Sequence, residues 1–588
     1  MRSGKKLTLG ILPTFLCLLS LLVVACGGGG TGNGNGSSTA SKAADSKQIF
    51  MDAQPVEGVS DVKTLDPALI TDTASNAPIQ CIFTGLMTLD ANLQLRDELA
   101  QSHSVSSDGL TYTFKLRPNL KFSDGTSLTS QDVVYSINRS LEKATKSPTA
   151  PAYLNLVKDS DKALAGSVKT LIGDSLLAPD PSTVQIVTNA KAAYFLYTLT
   201  YADSFVIEKS LIDQYGTRFV DHLGDGKGGG SGPFMIKKYT RGQEIDLVPN
   251  PNYYGNKPQL KELVFPFYKD GNTAYKAYQT GTIDFATVPV QQLAGAKQLT
   301  NEFKSVPQLA TYYWSMNYLV KPWDNIKIRQ AFALALNKDE IVHAVYKDTQ
   351  IATNHIVPKG AFGYDANLKG PDGKATTSGN ATLAKQLLTE GLKEEGLASM
   401  PPVTAYVASA GSEAARNEFA TEQQMWQTAL GVTVQIQDED FNKLLDDINS
   451  AAGNAKGIGL YNIAWIEDYP DAQDWLTLQF DKGSPNNALN YGQNNSSAAS
   501  AQQANQKLME TADANITNPT ERTQQYNTAE QSLINDVAWL PVYQSQTQLV
   551  RKVCVVGYPD NGESLVDPEL WANIYKTTDS SCSNATVH

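Results

Sequence analysis

Apolar and polar residues alternate with a period of two in short stretches of this 588-residue chain. In residues 110–116, leucine, tyrosine, phenylalanine and leucine alternate with threonine and lysine, and valine and isoleucine alternate with polar residues in 432–436. Because successive side chains of a strand point to opposite faces, this period predicts half-buried strands. Apolar residues spaced three or four apart predict helices over residues 129–141 and 328–336 instead.

The ends of the predicted helices have local signals of their own. Thr129 followed by Asp132 is typical of a capping box, in which two side chains satisfy free backbone N–H groups at the start of a helix. Gly431 follows a segment of helical composition, 414–429, and predicts a left-handed stop. Helices and strands alternate along the chain, which predicts the α/β class with strands in mixed sheets.

The first residues differ in composition from the rest of the chain. Basic residues precede an apolar run that ends in alanine, and Cys26 and four glycines follow. This pattern resembles a bacterial lipoprotein signal, so we expect a signal peptide over residues 1–25 that is removed before an acylated Cys26. A retained membrane anchor is the alternative, because a run of this length can span a bilayer. Residues 26–47 would form the lipidated cysteine and a flexible glycine- and serine-rich tether.

Charge and composition exclude several kinds of partner. The net charge is −12, whereas a nucleic-acid binder needs a basic surface that displaces counterions. Electrostatic docking on anionic lipid needs basic residues as well. We therefore expect no nucleic-acid partner and membrane contact only through the lipid on Cys26. The five histidines have no ligand spacing, so we expect no metal site, and no cofactor motif is present.

The stretch 460–476, LYNIAWIEDYPDAQDWL, concentrates aromatic and acidic residues. Its apolar start predicts a strand that a proline ends. Glu467 and Asp468 would then lie at the mouth of a sheet, beside the aromatic faces of Trp465 and Tyr469. A carboxylate against an aromatic wall suits a cationic group such as the ammonium of a peptide. A solvated acidic turn with a buried tryptophan is the alternative interpretation.

No catalytic motif is complete. The glycine-rich run 224–232, GDGKGGGSG, lacks the spacing of a phosphate-binding loop and the order of a nucleophile elbow, so it predicts a flexible loop. Carboxylates of 460–476 could supply the acid/base pair of a glycosidase, which requires a defined separation across a sugar. An exported lipoprotein hydrolase is therefore the alternative from another class, and we expect no catalytic residues.

A series of further motifs extends over nearly all of the chain after the signal segment. They are FKLR and NLKFSDGT in 114–126, LTSQDVVYS in 128–136, SGPFMIKKY in 231–239, NPNYYG in 250–255, YQTGTIDF in 278–285, DNIKIRQAFALALNKDEIV in 324–342 and AWLPVYQS in 538–545. In composition and order this series resembles family 5 of the extracytoplasmic solute-binding proteins, the peptide/nickel family that serves ABC importers.

The resemblance implies a type II periplasmic-binding-protein fold. Two α/β lobes with mixed sheets would be linked by a hinge, with an extra domain inserted in the first lobe. Trp314–Asn317 falls where the chain would first cross between the lobes. The implied ranges are 48–85, 201–312 and 536–588 for the first lobe, 86–200 for the inserted domain and 313–535 for the second lobe.

The resemblance also implies roles for residues of the acidic stretch. In oligopeptide- and dipeptide-binding members, a tryptophan is followed three residues later by an aspartate that pairs with the α-ammonium of the ligand. Trp465 and Asp468 match this spacing. We expect Glu467, Tyr469 and Trp314 at the same site, with the aromatic side chains as apolar walls.

One position departs from the family pattern. Oligopeptide-type members tend to have an arginine three residues before that tryptophan, where it meets the carboxylate of the ligand, and this chain has Asn462. We expect Asn462 at the ligand, but capture of a ligand carboxylate has no assigned residue. Oligosaccharide binders of the same family favour aromatic stacking, so an oligosaccharide is the alternative ligand.

The implied function is that of a lipid-anchored receptor on the outer face of the bacterial cytoplasmic membrane. It would capture an oligopeptide, a dipeptide or another small solute between its lobes and deliver it to the permease subunits of an ABC transporter. We expect it to act as a monomer.

The cysteines of the exported part are few. Cys81 lies in an apolar run and predicts a buried thiol. Cys554 and Cys582 lie near the carboxyl terminus, where an exported protein allows a disulfide between them. Two free thiols are the alternative.

Overall fold

The computed structural model describes residues 41–56, 59–226, 228–409, 412–563 and 566–579, with only the backbone of residue 442. The predicted signal peptide 1–25, Cys26 and most of the predicted tether lie outside the described residues. Of the helices that are described, none combines the length and the apolar character needed to cross a bilayer.

The strands are short except for two. They are β1 Ile49–Met51, β2 Met87–Leu89, β3 Leu95–Asp97, β4 Ala100–Val105, β5 Thr111–Leu116, β6 Leu176–Asp180, β7 Thr183–Val187, β8 Phe234–Thr240, β9 Glu244–Pro249, β10 Glu262–Pro266, β11 Phe285–Thr287, β12 Phe303–Met316, β13 Ile351–Ala352, β14 Val403–Val407, β15 Val434–Asp438, β16 Leu460–Ile466, β17 Trp539–Arg551, β18 Val555–Val556 and β19 Tyr575–Lys576.

The helices range from single turns to 18 residues. They are α1 Thr73–Ile82, α2 Ser130–Leu141, α3 Ala150–Tyr153, α4 Ser160–Ala165, α5 Phe195–Thr198, α6 Lys209–Tyr215, α7 Gly271–Gln279, α8 Leu293–Ala296, α9 Ile326–Leu334, α10 Lys338–Ala344, α11 Ala381–Glu394, α12 Glu413–Leu430, α13 Phe441–Asn449, α14 Ala472–Trp475, α15 Thr477–Phe480, α16 Ala499–Asp513 and α17 Pro519–Asp536.

The larger sheets differ in the direction of their strands. One four-stranded sheet has the order β1–β10–β9–β8, and another, β4–β5–β7–β6, is antiparallel. A seven-stranded sheet has the order β11–β17–β12–β16–β14–β15, with β13 beside β17. In it β14 is parallel to β15 and β16, whereas β12 is antiparallel to β16 and β17. These ladders confirm the predicted α/β class with mixed sheets.

Elements with a strong local pattern lie where the sequence predicts them. The side chains of β5 alternate in burial along the strand. Thr129 and Asp132 form the predicted capping box at the start of α2. Gly431 ends α12 with a φ of +70°, the left-handed conformation that a glycine adopts without strain. The strand predicted over 432–436 begins two residues later, as β15.

The long strands β12 and β17 pass from one hydrophobic core to another. Val306, near the start of β12, packs in a core with β1 and β10, whereas Trp314 packs with α9 and α12. The β12–β17 register is interrupted between Pro307 and Thr311. Trp314–Asn317 lies beyond this break, with Trp314 inside the second core. The change of core therefore precedes the crossing that the sequence predicts.

A separate core contains residues from Leu86 to Val206. This range is close to the predicted inserted domain, 86–200, and the antiparallel sheet β4–β5–β7–β6 lies within it. The core supports an inserted domain here, while the boundaries of the three predicted regions stay a prediction.

The two ends of the described chain are joined to each other. Lys42 forms a β-bridge with Thr577. The Gln48 side chain donates to the Lys576 carbonyl at 2.9 Å and accepts from the Lys576 N–H at 2.8 Å. The Lys576 ammonium lies 2.8 Å from both carboxylate oxygens of Asp284 in a buried ion pair. The first strand is therefore held in place by residues near the carboxyl terminus.

The described residues of the glycine-rich run 224–232 form a loop, as the sequence predicts, with residues 224–226 exposed. Residues 228–232 are buried, and the Gly232 N–H donates to the Ile82 carbonyl at 2.8 Å. A Cβ atom on Gly230 would lie 2.0 Å from that carbonyl oxygen. The sequence does not reveal this burial, which is possible because these glycines allow the backbone to lie directly against the carboxyl-terminal end of α1. Flexibility of the run stays a prediction.

The cysteines are described in part. Cys81 is a buried free thiol, as predicted. Cys554 is buried as well, but Cys582 lies outside the described residues, so the Cys554–Cys582 disulfide stays a prediction.

The close approach at Gly230 gives a stability prediction. Gly230→Ala places a methyl group within contact distance of a backbone carbonyl that cannot move away, so we expect the free energy of unfolding to fall by about 2 kcal/mol or more. Urea denaturation followed by circular dichroism measures this change. Gly295→Ala in α8 is the control, because no atom lies within 4 Å of its new Cβ. Equal stability of the two variants would contradict the close packing.

Candidate ligand-binding cleft

A cavity of about 380 Å³ lies where distant segments of the chain meet. We call it the cleft. The amino-terminal part of α1 forms one wall and the loop after β16 forms another, and Gln308 and Leu309, at the break in the β12–β17 register, line it too. The lining comes from residues 71–80, 153, 200–201, 308–309, 466–469 and 562–563.

Asp468 lies in the cleft and is reached from the opposite wall. The hydroxyl of Tyr153, at the end of α3, donates to its Oδ1 at 2.9 Å. No lysine, arginine or histidine is found among the described residues that line the cleft. The Asp468 carboxylate therefore has a neutral donor but no cationic partner from the protein.

The loop that presents Asp468 is held by a second aspartate. Asp474 Oδ2 accepts from the Trp465 indole N–H at 2.9 Å and from the Asp468 backbone N–H at 3.2 Å. The Glu467 N–H donates to the Leu309 carbonyl at 3.0 Å. These bonds fix the backbone on both sides of Asp468, so its carboxylate keeps one orientation.

A buried ion pair supports the next residues of the same loop. Arg522 on α17 donates to both oxygens of Asp471, at 2.6 and 2.7 Å, and the two side chains are 5% and 0% exposed. Asp471 also accepts from the Gln473 N–H at 2.9 Å and so caps α14. The Phe362 N–H donates to the Pro470 carbonyl at 2.9 Å. The loop is thus fixed at its far end to α17 and to the backbone of Phe362.

Three carboxyl groups of the cleft are desolvated without a cationic partner among the described lining residues. Burial raises the pKa of Glu467 well above its usual range, and the neighbouring Glu563 carboxylate adds to this rise. Burial also raises the pKa of Asp468 and brings that of Glu563 to about 7. Desolvation disfavours the charged form of an acid, so a cation that enters the cleft would restore charge to these groups.

The aromatic side chains of the cleft contact each other. The rings of Tyr153 and Tyr201 are stacked 3.7 Å apart with an angle of 5°. Tyr469 is stacked on Tyr194 at 6.0 Å and meets Tyr153 edge to face. Each of these rings therefore has one face or edge covered by another tyrosine, which leaves less aromatic surface for a ligand.

The structure brings together part of the predicted site. Glu467, Asp468 and Tyr469 line the cleft. Trp465 does not line it; its indole supports the loop through Asp474. Trp314 and Asn462 do not line the cleft either; they are opposite each other in the register of β12 and β16.

Both of these excluded residues are buried in the sheet. Trp314 is fully buried and donates its indole N–H to Glu422 at 3.0 Å, within the core of α9 and α12. Asn462 is 7% exposed, and its Nδ2 has no hydrogen-bond partner among the described residues. Neither side chain is positioned to meet a ligand in the cleft.

Sequence reasoning missed the other walls of the cleft. Tyr153 comes from a segment without an acidic motif, Tyr201 belongs to an aromatic run, 194–205, that lies outside the predicted site, and Glu563 follows the cleft-lining Gly562 near the carboxyl terminus. Their positions depend on contacts between residues hundreds of positions apart, such as Tyr153 with Asp468. The sequence contains no local signal for such a contact.

Known proteins match the chain over most of its length. The model of the bacterial extracellular solute-binding proteins, family 5 Middle, matches residues 94–487, more than half of the chain. The oligopeptide-binding protein OppA of Bacillus subtilis is 26% identical over 480 residues, which cover 81% of this chain and 84% of that protein. The glutathione-binding protein GsiB of Escherichia coli is 26% identical over 519 residues, covering 87% and 93%.

Solved structures of similar fold cover almost the whole chain. The unliganded open form of the periplasmic murein tripeptide binding protein MppA has a TM-score of 0.76 at 22% identity and covers 92% of this chain and 99% of that chain. OppA of Haemophilus influenzae in complex with RPPGFSPFR has a TM-score of 0.64 at 20% identity, covering 90% and 99%. These likenesses confirm the predicted type II periplasmic-binding-protein fold.

The buried ion pair under the loop gives a prediction about stability. Asp471→Asn keeps an oxygen that caps α14 but leaves the buried Arg522 guanidinium without a counter-charge, so we expect a loss of about 3–5 kcal/mol in the free energy of unfolding. Asp447→Asn, which removes one carboxylate from the exposed Lys443 pair, is the matched control and should cost under about 1 kcal/mol. Guanidinium denaturation measures both, and equal losses would show that the Arg522 pair does not support the loop.

Proposed function

The chain belongs to family 5 of the bacterial extracellular solute-binding proteins, and from this membership we propose that it captures a peptide in the cleft and delivers it to the permease of an ABC importer. Proteins of this family act outside the cytoplasm as binding proteins of ABC transporters. The two relatives described above bind an oligopeptide and glutathione, as their names state.

One observation supports a peptide more than any other. The Asp468 carboxylate lies in the cleft, bonded to the neutral hydroxyl of Tyr153 and without a cation of the protein beside it. A charge-assisted hydrogen bond to a buried carboxylate is strong and directional. The α-ammonium of a peptide supplies the missing positive charge, while backbone hydrogen bonds tolerate many sequences.

The oligosaccharide alternative has less support. Sugar rings bind on open aromatic faces, but Tyr153, Tyr201 and Tyr469 are stacked on or packed edge to face with other tyrosines, and Trp465 does not line the cleft. We therefore propose a peptide as the ligand and keep the oligosaccharide as an outcome of the experiment.

We also propose that the protein is a lipid-anchored monomer and not an enzyme. The lipoprotein signal before Cys26 and the tether that follows support an anchor on the outer face of the cytoplasmic membrane. The homologues are binding proteins for transport, which argues against the hydrolase alternative. Chromogenic glycosides and esters should stay intact after overnight incubation with the protein.

The role of Asp468 can be tested with paired peptides. Asp468→Asn keeps the hydrogen bond from Tyr153 but removes the negative charge, so a peptide with a free amino terminus should bind more weakly by about 2–5 kcal/mol. The same peptide with an acetylated amino terminus should bind weakly to the parent protein and be little affected by the substitution. Titration calorimetry with di- to pentapeptides measures both.

Two controls make the outcome specific. Asp161→Asn changes an exposed carboxylate on α4 and should leave peptide affinity unchanged. Cello- and xylo-oligosaccharides test the alternative ligand in the same instrument. Unchanged affinity in Asp468→Asn would remove this residue from the site, and binding of oligosaccharides without any peptide would overturn the peptide assignment.

The anchor has its own test in cells. Cys26→Ser removes the sulfur that would be acylated, so the variant should lose incorporation of labelled palmitate and move from the membrane fraction to the soluble extracytoplasmic fraction. Cys17→Ser, inside the predicted signal peptide, is the control and should keep both properties. Palmitate retained in the Cys26→Ser protein would contradict lipidation at this residue.

A further inference from the structure

A second, smaller cavity adjoins the cleft. We call it the side pocket. Its volume is about 40 Å³, and it shares Gln80, Thr200 and Glu563 with the lining of the cleft. Its other walls include β2, the turn that follows it, and Glu98. The shared residues show that the two cavities are neighbours, separated by no more than these side chains.

Glu98 in the side pocket is a buried acid with an unsatisfied oxygen. The residue is 1% exposed. Its Oε1 accepts from the hydroxyls of Tyr253, at 3.5 Å, and of Tyr254, whereas its Oε2 has no hydrogen-bond partner among the described residues. A buried carboxyl oxygen without a partner is costly and unusual in a native structure. This atom indicates a ligand group that donates hydrogen bonds.

The ionisable side chains that line the side pocket are all acidic among the described residues. Asp90, Glu98, Glu563 and Asp567 line it, and its described lining includes no lysine, arginine or histidine. Asp90 is paired with Arg96 at 2.6 Å on the exposed side. The other three acids have no such partner among the side-pocket residues.

Arg117 is the cation whose charge acts on the Glu98 carboxyl group, but its N–H groups bind other atoms. Arg117 lowers the pKa of Glu98 through its charge, but its Nε donates to the Glu98 backbone carbonyl. Its Nη2 donates to Glu569 at 3.2 Å. The guanidinium therefore does not satisfy the Glu98 carboxyl group.

The acids of the side pocket are poised to accept a positive charge. Burial raises the pKa of Glu98 to about 8, that of Glu563 to about 7 and that of Asp567 to about 6. Glu569 raises the pKa of both Glu98 and Asp567 through its negative charge. Near neutral pH Glu98 is mostly protonated and Glu563 partly so, and an incoming cation would favour loss of these protons.

The volume of the side pocket suits a small cation. A water-sized group needs roughly 10–15 Å³ on this measure, so about 40 Å³ admits an ammonium group with one or two methylenes. An ammonium has three N–H donors and no acceptor. It matches a carboxyl oxygen that lacks a donor, such as Oε2 of Glu98.

We propose that the side pocket is a subsite for the ammonium group of a lysine-like side chain on a peptide whose amino end lies at Asp468. The proposal rests on the proposed function and deepens it: the protein selects peptides that carry a second positive charge at one position. The unpartnered oxygen of Glu98, the acidic lining and the shared wall are the observations behind it.

Titration calorimetry with matched tetrapeptides tests the subsite. Each of the four positions carries lysine in one peptide and norleucine in another, because norleucine keeps the alkyl stem and lacks the ammonium. We expect lysine to bind at least about ten-fold more tightly than norleucine at one position, the ratio that one charge-assisted hydrogen bond supplies. Glu98→Gln and Glu563→Gln should each reduce this ratio toward one.

The controls separate a subsite from a general effect of charge. Glu413→Gln changes an exposed acid at the start of α12 and should keep the full lysine preference. In the parent protein the preference should rise between pH 6 and pH 9, because Glu98 and Glu563 lose their protons over this range while a lysine side chain keeps its own. Thermal melts establish that each variant is folded, and Glu563→Gln provides the test if Glu98→Gln is not.

The outcomes distinguish the subsite from the proposed function. Equal affinity for lysine and norleucine at every position, with binding that still depends on Asp468, overturns the subsite and leaves the peptide receptor standing. A lysine preference that survives both glutamine variants also overturns it. Absence of binding by every peptide overturns the proposed function and the side-chain subsite with it.

Discussion

The buried ion pair between Arg522 and Asp471 is the interaction on which the geometry of the cleft depends. It joins the loop after β16 to α17 in a space where both side chains are almost completely shielded from water. A charged pair in such a place is stable only while its two partners keep their hydrogen bonds. The position of Asp471 is therefore fixed, and with it the backbone that leads to Asp468, three residues earlier, whose carboxylate meets no cation among the described residues that line the cleft.

The acidic side chains in and beside the cleft fall into two groups, according to whether the protein itself supplies their partners. Asp471 is neutralised within the protein by Arg522, and Asp474 accepts hydrogen bonds from the backbone and from an indole. Glu467 and Glu563 are desolvated without such compensation, and Asp468 has only the neutral hydroxyl of Tyr153 as a donor to its side chain among the described residues. A bound cation lowers the energetic cost of burying Asp468, Glu467 and Glu563. Part of the free energy of ligand binding therefore comes from a desolvation cost that is already present in the empty protein.

Local patterns in the sequence predict local structure well and long-range structure poorly. The period of two in β5 and the capping box at Thr129 depend only on residues close together in the chain, and both predictions are confirmed. Asp468 was found through a family spacing, whereas Tyr153 and Glu563 reach the same cavity from other segments that leave no pattern around them. Trp314 is predicted at the binding site but lies in a hydrophobic core. The sequence does not separate these two positions, because a tryptophan suits either of them. Burial of the 228–232 glycines depends on the distant carbonyl of Ile82, which composition does not reveal.

The joining of the two chain ends, Lys42 to Thr577 and Gln48 to Lys576, sets the order of folding. The core beneath β1 includes Phe50 together with Trp571 and Ile574, so it cannot close before nearly the whole chain has been made. At about 5–20 residues per second, synthesis of the intervening segment takes on the order of a minute. During that time β1 can already pair with β10, but the core that contains Phe50 still lacks Trp571 and Ile574. Completion of this core is therefore a late event in folding, because it joins segments from opposite ends of the described chain.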